Sequence, residues 1–118
     1  MFREVLARTG HDLPGCRGAA LVGLDGMVIE QWTLAGDASM EPVAAELSSL
    51  LKAARGATRN TEGGPLAEVT LRTQAWSGVI RSVGDGYFLV VLTAPDALMG
   101  RTRFFVDRAI PLLEKEVA

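Results

Sequence analysis

Reactive chemistry in this sequence would have to come from few side chains, and His11, Asp12 and Cys16 are the one place where they gather. A cysteine near a histidine and a carboxylate has the composition of a thiolate nucleophile with its base. These three share a turn-rich stretch around Pro14-Gly15, with nothing to orient them and no oxyanion-hole motif beside them. They therefore read as structural or solvent-facing residues. One histidine and one cysteine fall short of a structural zinc ligand set, and no loop clusters carboxylates as a hard cation requires. Gly84-Asp85-Gly86 leads into a strand and not into a helix N-terminus, so it is a turn and lacks the geometry that cradles a pyrophosphate. No Gly-x-x-x-x-Gly-Lys-Ser/Thr occurs. The expectation is no catalytic residue, no cofactor and no metal, with any nucleotide bound by another protein. An enzyme with an unrecognised site ranks last, because no activated nucleophile or acid/base pair is visible.

The elements that would position a site are organised around Gly86-Tyr87-Phe88-Leu89-Val90-Val91-Leu92-Thr93-Ala94. This run offers apolar side chains to both faces, the mark of a central strand covered on both sides. Residues 76–83 supply the strand before it. Earlier still, Val69 and Leu71 alternate with Glu68, Thr70 and Arg72, as a half-exposed edge strand requires. The three form an antiparallel meander.

At the start, Phe2, Val5 and Leu6 recur at helical spacing before Gly10. Residues 18–24 and 27–32 flank Asp25-Gly26 and predict a hairpin with a two-residue type I′ turn. Gly18, Ala19, Ala20 and Gly23 leave little side chain on the sheet, so a helix can approach it closely. Pro42 suits a first helical position and Glu41 the positive end of the helix dipole, which predicts a helix over 41–57. Its inward stripe is Val43, Leu47, Leu50, Leu51 and Ala54, flanked by Ala44, Ser48 and Arg55, with Ala45, Ser49 and Lys52 outside. These short outer residues fit two readings, a solvated face or a helix-helix contact with a second subunit.

Residues 58–64 form a polar, glycine-rich loop. The last helix is expected to begin near Asp96 as N-cap, to turn Leu98, Phe105, Ala109, Leu112 and Leu113 inward, and to kink or end early at Pro111. Trp32, Trp76 and Phe104 read as packing residues, Phe104 against Phe2 and Leu6, with interface anchoring as the alternative. The predicted order is α-β-β-α-β-β-β-α in an α+β fold.

A chain of 118 residues, 48% hydrophobic and 22% charged, fits one domain spanning 1–118. Its 12 basic and 14 acidic residues are scattered and give a net charge of -2, so no basic stripe invites nucleic acid. The single cysteine excludes an intrachain disulfide, and the first residues lack a signal peptide's pattern. A cytoplasmic protein is expected. No apolar stretch reaches the roughly twenty residues of a membrane span, so no direct membrane insertion is expected either.

The order of these elements resembles the Roadblock/dynein light chain family. The features that carry the resemblance are the Gly18-Ala19-Ala20-Leu21-Val22 strand with Asp25-Gly26, the run Gly86-Tyr87-Phe88-Leu89-Val90-Val91-Leu92, and the segment Pro95-Asp96-Ala97-Leu98-Met99-Gly100-Arg101. Nearly the whole chain takes part, and the bacterial branch with MglB-like regulators is the most similar. The resemblance implies a five-stranded antiparallel sheet with the second helix on one face and the terminal helices on the other. It also implies a homodimer or heterodimer that pairs second helices and third strands, taken for this chain as a homodimer, and a Ras-like small GTPase as partner, whose hydrolysis some members stimulate by organising the GTPase's own site. Carried onto this chain, the dimer or partner interface would include Ala45, Ser48, Ser49, Lys52, Arg55, Glu68, Thr70 and Arg72. Arg55 and Arg59 would add charge to a docking surface or simply be solvated. The competing reading is a profilin-like or PAS-like module enclosing a small molecule, which would need an apolar cavity with convergent polar groups. The small residues Gly18, Ala19 and Ala20 argue instead for close packing.

Overall fold

The computed structural model describes Met1–Ala118 as α1 (Phe2–Asp12), β1 (Cys16–Gly23), β2 (Val28–Thr33), α2 (Glu41–Asn60), β3 (Glu68–Arg72), β4 (Ser77–Val83), β5 (Tyr87–Thr93) and α3 (Met99–Val117). The strands form one antiparallel sheet in the order β2-β1-β5-β4-β3. The expected fold class and element order are those observed. The run with apolar residues on both faces is the central strand, because only a middle position lets Phe88 and Val90 face one layer while Leu89 and Val91 face the other. No helix is long and apolar enough to cross a membrane.

Two cores sandwich the sheet. On one face α1 and α3 close over Leu21, Val79, Leu89 and Val91, contributing Leu6, Val106, Ala109 and Leu113. On the other, α2 alone contributes Ala44, Leu47 and Leu51 over Ala20, Ile80, Phe88 and Val90. Strands about 4.8 Å apart make five of them roughly 20 Å wide, whereas a helix with its side chains is about 10 Å across. Two helices therefore cover one face, and one helix covers about half of the other.

Several local expectations are corrected. The β1-β2 connection is not type I′, since Gly26 alone takes a left-handed φ of 89° and Asp25 does not. Gly26 donates to the Gly23 carbonyl and Gly23 to that of Met27, at 2.9 Å each, which is a three-residue loop whose third residue must be left-handed. The register also slips between Leu21 and Val22, leaving Ile29 as an extra residue on β2.

In α2, Ala44 and Ser48 are buried while Leu50 is 39% exposed. The line of closest approach runs through the short residues, and the larger Val43 and Leu50 lean to one flank. The helix also runs a turn beyond residue 57, to Asn60. α1 likewise continues through Gly10 to Asp12; the glycine there makes room for the Trp32 ring, which occupies the place of a Cβ, and does not end the helix.

Asp96 caps nothing. It sits in the turn closed by the Ala97 amide on the Ala94 carbonyl, and α3 starts at Met99 with no side-chain cap. The inward residues of α3 are Thr102, Val106, Ala109 and Leu113, while Leu98 and Leu112 stay exposed. Thr102 can be buried because its hydroxyl donates back to the Leu98 carbonyl at 3.4 Å. Pro111 costs one backbone donor without ending the helix, which continues to Val117. Phe104 is 56% exposed, edge-on to Phe105 and beneath Arg108, and does not pack into α1. Close packing at Gly18 does occur, where the Met40 side chain occupies the space of a Cβ.

Candidate interaction surface

The ladder of paired residues Gln31, Ala20, Val90, Ile80 and Val69 crosses the sheet on the α2 side. Gln31, at the β2 end, anchors α2. Its side-chain oxygen accepts the Met40 amide at 2.8 Å, and Ser39 Oγ accepts the Glu41 amide at 3.1 Å, satisfying two donors that a helix start leaves open. Ala45 and Ser48 then lie against Gly26 in the β1-β2 turn. α2 is thereby anchored on the β2 side and packs across β1, β5 and Ile80 of β4, leaving the β3 side of this face uncovered, with Val43, Leu50 and Ala54 on the flank away from that turn.

The uncovered side carries Leu66, Val69, Leu71 and Leu92, all half-buried. Leu92 leans over Gly78, where a Cβ would meet its methyl at 3.0 Å, so the missing side chain of β4 extends the apolar strip toward Leu71. Beside the strip lies β3, paired to β4 through all five residues without a bulge and to nothing on its outer side. The opposite edge is blunted. β2 carries the Ile29 bulge, its Gln31 amide is taken by the Glu30 carboxylate at 3.3 Å, and Glu30 is paired with Arg3 of α1.

The candidate residues divide between the two faces. Ala45, Ser49 and Lys52 are exposed on α2, Arg55 is half-buried, and Ser48 is buried with its hydroxyl donated to the Ala45 carbonyl at 2.8 Å. Glu68, Thr70 and Arg72 project to the other side, toward α3. There Glu68 accepts Arg81 at 2.7 Å and Arg103 at 2.8 Å, Arg103 also donates to Thr70 at 3.0 Å, and Arg81 reaches Asp107 at 2.8 Å. Arg72 donates to the Pro95 carbonyl at 3.1 Å. Burial alone would raise the Glu68 carboxyl, but the hydrogen bonds from Arg103 and Arg81 outweigh it and hold the group below its ordinary pKa. Arg81 moves the other way, burial being outweighed by Glu68 and Asp107.

Cys16 is buried. Burial pushes its thiol up to about 11 against a smaller lowering by a backbone hydrogen bond at Gly18, the opposite of an activated nucleophile. His11 is exposed and meets Trp32 edge-on, ring centroids 5.4 Å apart. No group of three or more metal-ligating side chains converges. The residues that sequence reasoning passed over are Leu66, Val69, Leu71 and Leu92. The alternation across 68–72 did show that Val69 and Leu71 share a face, yet it contained nothing to say that α2 stops short of them.

Residues 2–93 match the sequence profile of the Roadblock/LC7 domain. No curated protein matches the sequence. Among solved structures, Myxococcus xanthus MglB superposes with a TM-score of 0.88 at 18% identity, over 98% of this chain and 94% of that one. The gliding protein MglB of Thermus thermophilus gives 0.85 at 19%, over 98% and 88%. MglC of Myxococcus xanthus gives 0.71 at 24%, over 98% of each chain.

Proposed function

This chain belongs to the Roadblock/LC7 domain family, and from that premise we propose that it is a non-enzymatic homodimer that binds and regulates a Ras-like small GTPase. The observation that carries the reading is the half-covered sheet face lying next to the one regular, unpaired strand edge. A second copy related by a two-fold axis supplies what both lack. Its β3 pairs with β3 to continue the sheet, and the two α2 helices then close over the joined strips of Leu66, Val69, Leu71 and Leu92 from either side, by the flanks that carry Val43, Leu50 and Ala54. Pairing at that edge uses backbone groups, so Glu68 and Thr70 can stay in their own network while the strand they belong to forms the seam. Ala45, Ser49, Lys52 and Arg55 then remain on the α2 surface of the dimer as the place where a GTPase docks.

The reading is tested in two steps. Sedimentation at micromolar concentration should give twice the chain mass, and a monomer there would sink the dimer. Affinity capture from the native cell extract, with and without a non-hydrolysable GTP analogue, should enrich a Ras-like GTPase with the analogue. Absence of a GTPase in both conditions would sink the partner assignment while leaving the dimer standing.

A further inference from the structure

The opposite face of the molecule carries apolar surface that the dimer does not use. Of the eight large apolar residues left exposed, four (Met1, Leu98, Phe104 and Leu112) belong to the α1-α3 layer, a concentration that marks contact surfaces on soluble proteins. The Met1 amino group lies 3.1 Å from Glu116, so the start of α1 meets the end of α3 and the two helices run antiparallel. Between them lies an open groove of about 310 Å³ with Val5, Phe105, Ala109 and Leu112 as its apolar lining.

The groove is lined by Arg8, Arg108 and Lys115 together with Glu4, Asp12 and Glu116, and the two signs differ in how they are paired. Arg101, Arg108 and Lys115 recur every seven residues along α3, which places them in one row, and Arg8 of α1 faces the groove with Arg108 and Lys115. None of these four cations has a carboxylate partner, whereas the groove's Glu4 and Glu116 both turn to the Met1 amino group. Asp12 is the one remaining acid. Arg108 is stacked over the Phe104 ring at 5.7 Å, presenting cation and aromatic side by side.

We propose that the α1-α3 groove docks an amphipathic helix of a partner protein, apolar on the face it buries and acidic along its flanks. A channel between two antiparallel helices accepts a third helix in its groove, and the unpaired cation row selects for acids on it. A second copy of this chain would bring a further cation row to the same place. A membrane is flat and cannot fill a concave groove. The proposal stands apart from the α2-side dimer.

The test titrates a fluorescent synthetic helix of about 18 residues, leucine along one face and glutamate on the flanks, against the same peptide with lysine for glutamate. Amide NMR shifts locate the contact. The acidic peptide should perturb α1 and α3 and bind at least about tenfold more tightly than the lysine peptide. That preference should be lost in a variant carrying Arg108→Glu and Lys115→Glu, and should weaken as salt rises. Leu112→Glu, an exposed change that leaves the core intact, should abolish binding separately. Equal binding of both peptides, binding of neither, or shifts on the α2 side would overturn the proposal. Self-association lost in Leu112→Glu without peptide binding would also overturn it, in favour of a second copy, and so would binding of phosphatidylserine vesicles in place of the peptide, in favour of a membrane.

Discussion

The Cys16 thiol stays protonated across the physiological range because burial disfavours the thiolate, and the side chain is buried in the core cluster with Leu6, Leu13 and Ala19. Iodoacetamide at pH 8 should therefore leave it unmodified in the native protein and modify it on addition of denaturant. Rapid labelling of the folded protein would refute the buried environment. Glu68 is held below the ordinary carboxylate value of about 4.3. Stability from a depressed carboxylate is present above the ordinary pKa and lost as pH falls through the folded-state value. Glu68→Gln should cost about 1 kcal/mol near neutrality, the group being partly exposed, and the melting-temperature gap from the parent should close as pH falls below about 4. A gap independent of pH would assign the loss to packing. The partners of Glu68 stand 13 residues away on β4 and 35 away on α3. That distance is why the sequence showed an exposed-looking polar residue on a strand and hid the network.

At the scale of elements, type and order were legible because apolar spacing and turn residues are local signals, whereas helix rotation was not. The sequence-based stripes followed the largest apolar side chains. The structure places Ala44, Ser48 and Thr102 at the lines of closest approach, where size excludes larger ones. Gly10 is the extreme case, with the Trp32 ring where its Cβ would be. Alanine at position 10 gains about 1 kcal/mol of helix propensity, but the ring is rigid and displacing it costs about 1–3 kcal/mol, so Gly10→Ala should lower stability in denaturant unfolding. Combined with Trp32→Leu the same change should become neutral or stabilising, since the obstruction is gone and the propensity remains. Gly18→Ala should cost less, because it meets the movable end of the Met40 side chain. Equal losses at the two glycines would contradict this ranking.

For the whole molecule, the five-stranded sheet has one face closed by two helices and the other half-closed by one, and it has one blunted and one regular edge. The order and spacing of the elements carried the family resemblance, but the asymmetry required coordinates, since it depends on where α2 lies across the strands. It also separates two surfaces that can be broken independently. Leu50 and Leu71 are exposed or half-buried in the single chain, so charging them as Leu50→Glu with Leu71→Glu introduces like charges without excavating either core. In the proposed dimer the same positions lose water, and burying unpaired charge there costs several kcal/mol, enough to raise the dimer dissociation constant by more than about a hundredfold. Sedimentation should then show a folded monomer with unchanged circular dichroism. Capture of a GTPase should fall with the dimer, because the docking surface is built from both copies, whereas binding of the acidic helix at the α1-α3 groove should be unchanged. The Arg108→Glu and Lys115→Glu variant should show the reverse, a dimer that retains the GTPase and loses the helix. Loss of both activities in either variant would mean that the two faces are one coupled surface.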